Sequence, residues 1–254
     1  MESFPSPQTK IKMPINQFHN SQKNILYSPE HKLTFISNPK VACSTIKNSM
    51  LGGFDGNVHS EAEKRFGLPP NLDHDFFCIT RNPFSRALSC FKNKIGPNKE
   101  INPSAVWHPF CKRFGFEKDK QPTFCDFLRA LLNDPNPETM DMHYRCQHFN
   151  LHHSDITPRY TARIEHFNDL AHYLRSHNIW IKEKNAHKTG ALISYINDIN
   201  KQEEKLIRQF YMQDFIIYGY DVKLKTKEYP EPLFQEQKVS LRYKESFSNL
   251  NKIN

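Results

Sequence analysis

Short apolar runs alternate along this chain with segments whose apolar residues recur every three or four positions, and polar stretches separate them. Lys32 to Ser37 reads as a strand, with Leu33, Phe35 and the β-branched Thr34 and Ile36 as its short apolar run. That is the pattern of a strand buried on both faces. Asn38-Pro39 ends it. Ile46, Met50 and Leu51 then follow helical spacing, with Cys43 or Ser44 able to cap that helix and Gly52-Gly53 closing it. Phe76 to Thr80 reads as a second buried strand. Arg81-Asn82 forms a turn, Pro83 suits a first helical position, and Phe84, Leu88 and Phe91 supply the stripe. Thr123 caps a helix that buries Phe124, Phe127, Leu128 and Leu131. Tyr160 to Phe167 reads as a third strand, and a helix with Leu170, Tyr173 and Leu174 starts at Asn168. A last helix, Lys201 to Met212, runs into DFIIYGY (214–220). Residues 54–75, 95–121, 133–158 and 181–200 lack a clear period and are expected as loops.

Strands alternating with helices predict an α/β fold, a central parallel sheet flanked by helices in one P-loop-like domain. Residues 1–30, carrying Pro, Ser, Asn and Gln, are expected as an irregular arm. Residues 31–222 form the domain, and 223–254 a polar tail.

Composition narrows the function. The chain has 254 residues, 37% hydrophobic, with 20 Phe as the main core bulk. Its net charge of +8 favours an anionic partner. The basic residues do not gather in one run, so no nucleic acid is expected. Only 8 glycines are present, which argues against ordinary glycine-rich nucleotide loops. The six cysteines include no CxxC pair, so neither a zinc nor a redox motif is predicted, and no metal. The first twenty residues have no apolar signal core, and no run of about 20 apolar residues follows. A cytoplasmic chain without a membrane span is expected, or a lumenal domain lacking its anchor.

Two loops carry the candidate chemistry. Asn38 to Lys47 (NPKVACSTIK) leads from a strand into a helix start, where unpaired backbone N–H groups and the positive end of the helix dipole make an anion site. Lys40 adds a charge; Ser44 and Thr45 add hydroxyls. The GxxxxGK[ST] pattern fails, because both glycines are missing and Lys40 precedes the hydroxyls by four residues. The second loop, Arg81 to Ser89 (RNPFSRALS), offers the Arg81 fork to a phosphate, with Ser89 two turns along the helix. Read singly, either loop is more readily an ordinary strand-to-helix junction, with Lys40 solvated in the first and Arg81 paired with a carboxylate in the second.

Together they resemble the sulfotransferases that use 3′-phosphoadenylyl sulfate (PAPS), and within them the carbohydrate branch acting on chondroitin, dermatan and related glycans. Pro39 to Cys43 spells that family's PKVAC, and RNPFSRALS is similar to its RDPFERLVS. Further similarities are Thr123 to Phe127 (TFCDF), MHYRCQ (142–147), RIEHFNDL (163–170), HKTG (187–190) and YMQDFIIYGYD (211–221), so the resemblance spans Leu33 to Asp221. It implies that Lys40, with the backbone of Ala42, Cys43, Ser44 and Thr45 and the hydroxyls of Ser44 and Thr45, binds the 5′-phosphosulfate. Lys40 would sit at the oxygen bridging phosphate and sulfate. Arg81 and Ser89 would bind the 3′-phosphate, and Lys188 and Thr189 would close over the nucleotide.

The resemblance further implies a carbohydrate hydroxyl as acceptor and a histidine between the two loops as general base. His59 and His74 are the candidates there, with His59 favoured by the KRFG stretch that follows it, and His143, beyond the second loop, is a poorer third; Glu165 reads as a structural or acceptor-positioning carboxylate. Asn82, Ile46 and Tyr144-Arg145 depart from the family pattern and leave the acceptor open. Two other readings stand beside this one: a P-loop-like kinase using ATP, and a non-catalytic binder of anionic ligands.

Overall fold

Strand β3 (Asp75–Thr80) is the axis of the fold because its residues pair on both sides. The structure is a computed structural model that describes residues 24–67, 75–96, 105–151, 156, 158–181 and 198–224. In it β2 (Leu33–Ile36) and β4 (Tyr160–Arg163) flank β3, both parallel to it. Ile36 stands opposite Cys78, and Thr80 opposite Arg163. A further strand, β1 (Ile25–Ser28), runs antiparallel along β2, giving the order β1-β2-β3-β4. The sheet is thus mostly parallel. β1 falls inside the stretch expected to be irregular; its Ile25 and Leu26 are buried, and sheet pairing organises it where composition gives little sign.

Alternation along β3 assigns the helices to two faces. Phe77 and Ile79 point with Phe35 toward α1 (Cys43–Met50), α2 (Val58–Arg65) and α7 (Phe167–Ser176), where Ile46, Met50, Ala62, Leu170 and Leu174 complete a core. The rings of Phe35 and Phe77 stack at 4.9 Å. Phe76 and Cys78 point the other way, toward α3 (Pro83–Cys90), α4 (Trp107–Phe114), α5 (Phe124–Leu132), α6 (Gln147–Leu151) and α8 (Lys201–Tyr218). The result is three layers, helix–sheet–helix.

The local signals explain most elements. Thr123 and Asp126 form a capping box at α5, and Asn200 with Glu203 does the same at α8. α1 ends at Gly52 and Gly53, both at positive φ (73° and 96°). α8 runs on through Tyr218, past the boundary expected at Met212, with non-helical dihedrals at Tyr211, and stops at Gly219 (φ 63°). The third strand is shorter than expected: it ends at Arg163, and a 3₁₀ turn (Ile164–His166) leads directly into α7. Three expected loops contain helices, namely α2, α4 and α6. All six cysteines are unpaired thiols. Among the described residues no helix is long and apolar enough to cross a membrane.

Candidate functional site

Both chemistry-bearing loops leave the carboxyl ends of adjacent parallel strands, β2 and β3, where open α/β sheets form their ligand crevices. The first loop turns sharply without glycine. Lys40 and Ala42 both take left-handed dihedrals, φ 70° and 61°. Each such position costs a non-glycine residue about 1–2 kcal/mol. Ala42→Gly is therefore expected to stabilise the fold by about 0.5–1 kcal/mol, after the larger unfolded-state entropy of glycine is subtracted. A calorimetric melt reading 2–4 °C higher per kcal/mol would register it.

Ala42 is also the N-cap of α1, and no side chain caps that helix. The expected caps, Ser44 and Cys43, instead lie inside its first turn. The opening N–H groups of α1 thus receive no bond from a capping side chain, with the dipole's positive end behind them. Ser44 is exposed and Thr45 half-buried beside them.

Lys40 projects from this loop. Its Nζ donates to Asn93 Oδ1. Asn93 lies in a π-helical turn (Phe91–Ile95) that continues α3 and widens it next to the loop. Burial, together with the positive charges of Lys94 and Arg81, outweighs the opposing pull of Cys90 and Cys43, and lowers the Lys40 pKa from 10.5 to about 8. A desolvated ammonium with so low a pKa is poised to gain from a developing negative charge.

Arg81 binds the same loop from the second strand. Its Nη1 donates to the Lys40 carbonyl at 3.1 Å, and its Nε to Ser85 Oγ at 2.9 Å. The structure thus joins Arg81 to Lys40 and to Ser85; Ser89, one turn further along α3, is half-buried. His59, on α2, reaches the first loop too. Its Nε2 lies 2.9 Å from Ser44 Oγ, and its Nδ1 is 3.2 Å from Lys47 Nζ. Burial first, then the charge of Lys47, lowers the His59 pKa and keeps its ring neutral. A lysine ammonium only donates, so Nδ1 is the acceptor and Nε2–H donates to Ser44. His74, Lys188 and Thr189 lie outside the described residues.

A buried polar layer beneath the loops was not legible in the sequence. Asn38 donates to the Ile79 carbonyl and to Gln147 Oε1, and accepts from Asn150 Nδ2. Gln147 pairs with both backbone groups of Arg81. Arg86, fully buried, spans three carbonyls: Pro39 (3.3 Å), Met142 (2.9 Å) and Arg145 (2.8 Å). Glu165 accepts from the Asn82 N–H at 2.7 Å and from Tyr220 Oη–H at 3.2 Å, with its pKa raised by burial. Its part in this geometry is to hold the second loop.

Cys146, His148 and Asp214 bring ligand-type atoms within 4.8 Å of one another. Asp214 accepts from the N–H groups of Gln147 and His148 and bonds His148 Nδ1, so it caps α6. Burial holds the Cys146 pKa well above its ordinary value, and the thiol donates to the Phe210 carbonyl. Both Asp214 oxygens and His148 Nδ1 are thus engaged in holding α6.

The sequence is similar to several known proteins. It is 26% identical over 242 residues to carbohydrate sulfotransferase 14 of Danio rerio, covering 82% of this chain and 65% of that protein. The Mus musculus protein of the same name is 24% identical over 256 residues, covering 87% and 66%. Carbohydrate sulfotransferase 9 of Homo sapiens is 21% identical over 246 residues, covering 80% and 54%. The chain therefore spans about two thirds or less of the length of these relatives. No solved structure matches it. The model of the sulfotransferase family matches residues 23–221, from just before β1 through the end of α8, including both loops. The chain belongs to the sulfotransferase family.

Proposed function

We propose that this protein moves a sulfuryl group from PAPS to a hydroxyl of a carbohydrate, in a P-loop-like fold whose phosphate loop dispenses with glycine. The observation that carries this reading is the meeting of three features on one loop: the α1 N-terminus that no side chain caps, the desolvated Lys40, and Arg81 arriving from the neighbouring strand. The N–H groups and hydroxyls of Ser44 and Thr45 receive the 5′-phosphate, with the Ala42–Cys43 backbone completing the turn. His59 supports Ser44 through Nε2–H. Arg81 and Ser89 take the 3′-phosphate, the group that distinguishes this donor from ATP. Lys188 and Thr189 are assigned to the nucleotide by the family resemblance alone.

The reaction is an in-line displacement at sulfur, close in character to phosphoryl transfer. Positioning and electrostatic stabilisation supply most of the rate. Lys40 lies at the bridging oxygen, where charge accumulates as the sulfur–oxygen bond breaks. The relatives named for carbohydrate sulfation support a glycan acceptor.

Thermal melts with adenosine 3′,5′-bisphosphate and with ATP test the donor. At a hundredfold excess over its Kd the bisphosphate is expected to stabilise the protein by about 2.7 kcal/mol, with ATP doing less. Equal or greater stabilisation by ATP would favour the kinase reading, and indifference to both would favour a binder of other anions. Radiolabelled PAPS offered with a panel of glycans then identifies the acceptor.

A further inference from the structure

The segment that carries His143 is tied to the first loop through Arg86. The planar guanidinium of Arg86 accepts no freedom between its partners: Nη2 holds the carbonyl of Met142, the residue before His143, and Nε holds that of Pro39, the residue before Lys40. Asn150 Nδ2 also donates to the Met142 carbonyl and to Asn38, which fixes the same segment to the end of β2.

Within this segment His143 is oriented by Asp141. One carboxylate oxygen, Oδ1, accepts from the backbone N–H of His143 at 2.8 Å and lies 2.7 Å from its Nδ1. A carboxylate acceptor at Nδ1 puts the ring proton there and the lone pair on Nε2. Among the described residues nothing bonds to Nε2, and the side chain is 26% exposed. Burial pushes the Asp141 carboxyl up, but the hydrogen bond and charge of His143, with Arg145 adding to them, leave it below the usual range. Asp141 is therefore ionised and able to stabilise an imidazolium.

His59 is the opposite case. The charge of His143 is among the smaller influences that lower the His59 pKa. Yet Lys47 occupies its Nδ1 and leaves a proton on Nε2. One ring is a donor toward the phosphate loop; the other offers a lone pair. Asp141 faces His143 directly, Arg145 on the same segment acts on Asp141, and His59 on α2 responds to the charge of His143.

We propose that His143 is the general base of the transfer and Asp141 its positioning residue. This rests on the sulfuryl-transfer reading above. His143 Nε2 takes the proton of the acceptor hydroxyl as that oxygen's electron pair forms a bond to sulfur. The bond from sulfur to the bridging oxygen breaks, and its electron pair leaves on the 5′-phosphate of adenosine 3′,5′-bisphosphate beside Lys40. The products are the sulfate ester, the bisphosphate and an imidazolium paired with Asp141, which returns its proton to solvent.

The test uses the full chain, radiolabelled PAPS and a glycan that the unmodified protein sulfates. His143→Ala is expected to lower kcat about 10²–10⁴-fold. Its Kd for the bisphosphate and its melting temperature stay unchanged, and added imidazole restores part of the rate. Asp141→Asn is expected to lower kcat with little change in the donor KM, and Asp141→Glu to recover part of that loss. His59→Ala is expected to weaken bisphosphate binding. Unchanged kcat in His143→Ala would overturn the proposal, as would imidazole rescue of His59→Ala alone. If the unmodified protein sulfates no glycan although it binds the bisphosphate, the acceptor reading fails and takes this proposal with it.

Discussion

Lys40→Ala is expected to reduce kcat by about 10²–10³-fold while the melting temperature holds or rises slightly. The two halves of this result come from the same fact. In the proposed role, a charge at the leaving oxygen stabilises the transition state by about 2.7–4 kcal/mol, the range found when one such donor is removed. The same ammonium is held with its pKa lowered to about 8, chiefly by burial, so at neutral pH its burial opposes folding. Alanine keeps the left-handed backbone position as it was and removes only the charged group.

The pH dependence follows with a definite sign. Lys40 titrates at about 8 in the folded protein and at 10.5 in the unfolded chain. Between those values the unfolded chain holds more protons, so this residue's contribution to stability rises with pH across that window. Below about 8 both states are charged and the full penalty is present. Ligand binding runs the other way. An anion beside Lys40 favours the ammonium, so affinity for adenosine 3′,5′-bisphosphate is expected to weaken above pH 8, by up to tenfold per pH unit, in titration calorimetry from pH 7 to 10. Lys40→Ala removes this dependence. An equal slope in the variant would place the titrating group elsewhere.

The strands and loops that carry the donor chemistry were legible because their signals are local. LTFI and FFCIT are apolar runs bounded by Asn-Pro and Arg-Asn-Pro, and they become β2 and β3 in parallel register. Lys40, Ser44 and Thr45 are close in sequence and stay together in one turn. α4 was hidden by Pro109, which reads as a breaker; it lies in the first helical turn, where an amide N–H has no helical partner and proline is tolerated. α2 buries only Ala62, so it shows no stripe, and its local signs are confined to the Asn57 cap, Glu61 in the first turn and Lys64 and Arg65 in the last. The polar layer was illegible for a different reason. Asn38, Arg86, Gln147 and Asn150 bind carbonyls or each other across long sequence separations, and nothing in a residue's neighbours announces such a partner. His143 shows the boundary between the two cases. Its dyad with Asp141 spans three residues and could be read from DMH, but the tie between its segment and the Lys40 loop runs through Arg86.

That dependence makes Arg86 the residue whose loss should damage the fold most. Arg86→Met is expected to destabilise the protein by about 3–5 kcal/mol, the range for removing one partner from a buried charged network. The guanidinium is 1% exposed and its three acceptors are carbonyl oxygens on two segments, Pro39 on one side and Met142 and Arg145 on the other. Methionine fills much of the volume but donates nothing, so three buried carbonyls lose their bonds at about 1 kcal/mol or more each. Lysine is expected to recover only part of the loss, because one compact ammonium cannot span acceptors that a planar fork reaches simultaneously. A drop on the order of 10 °C in the calorimetric melt would check the first effect. The second reading is kinetic. At temperatures where the variant remains folded, kcat should still fall, because Arg86 sets the spacing between the Lys40 loop and the His143 segment. A variant that melts early yet turns over at full rate would show that the two segments keep their distance without the clamp.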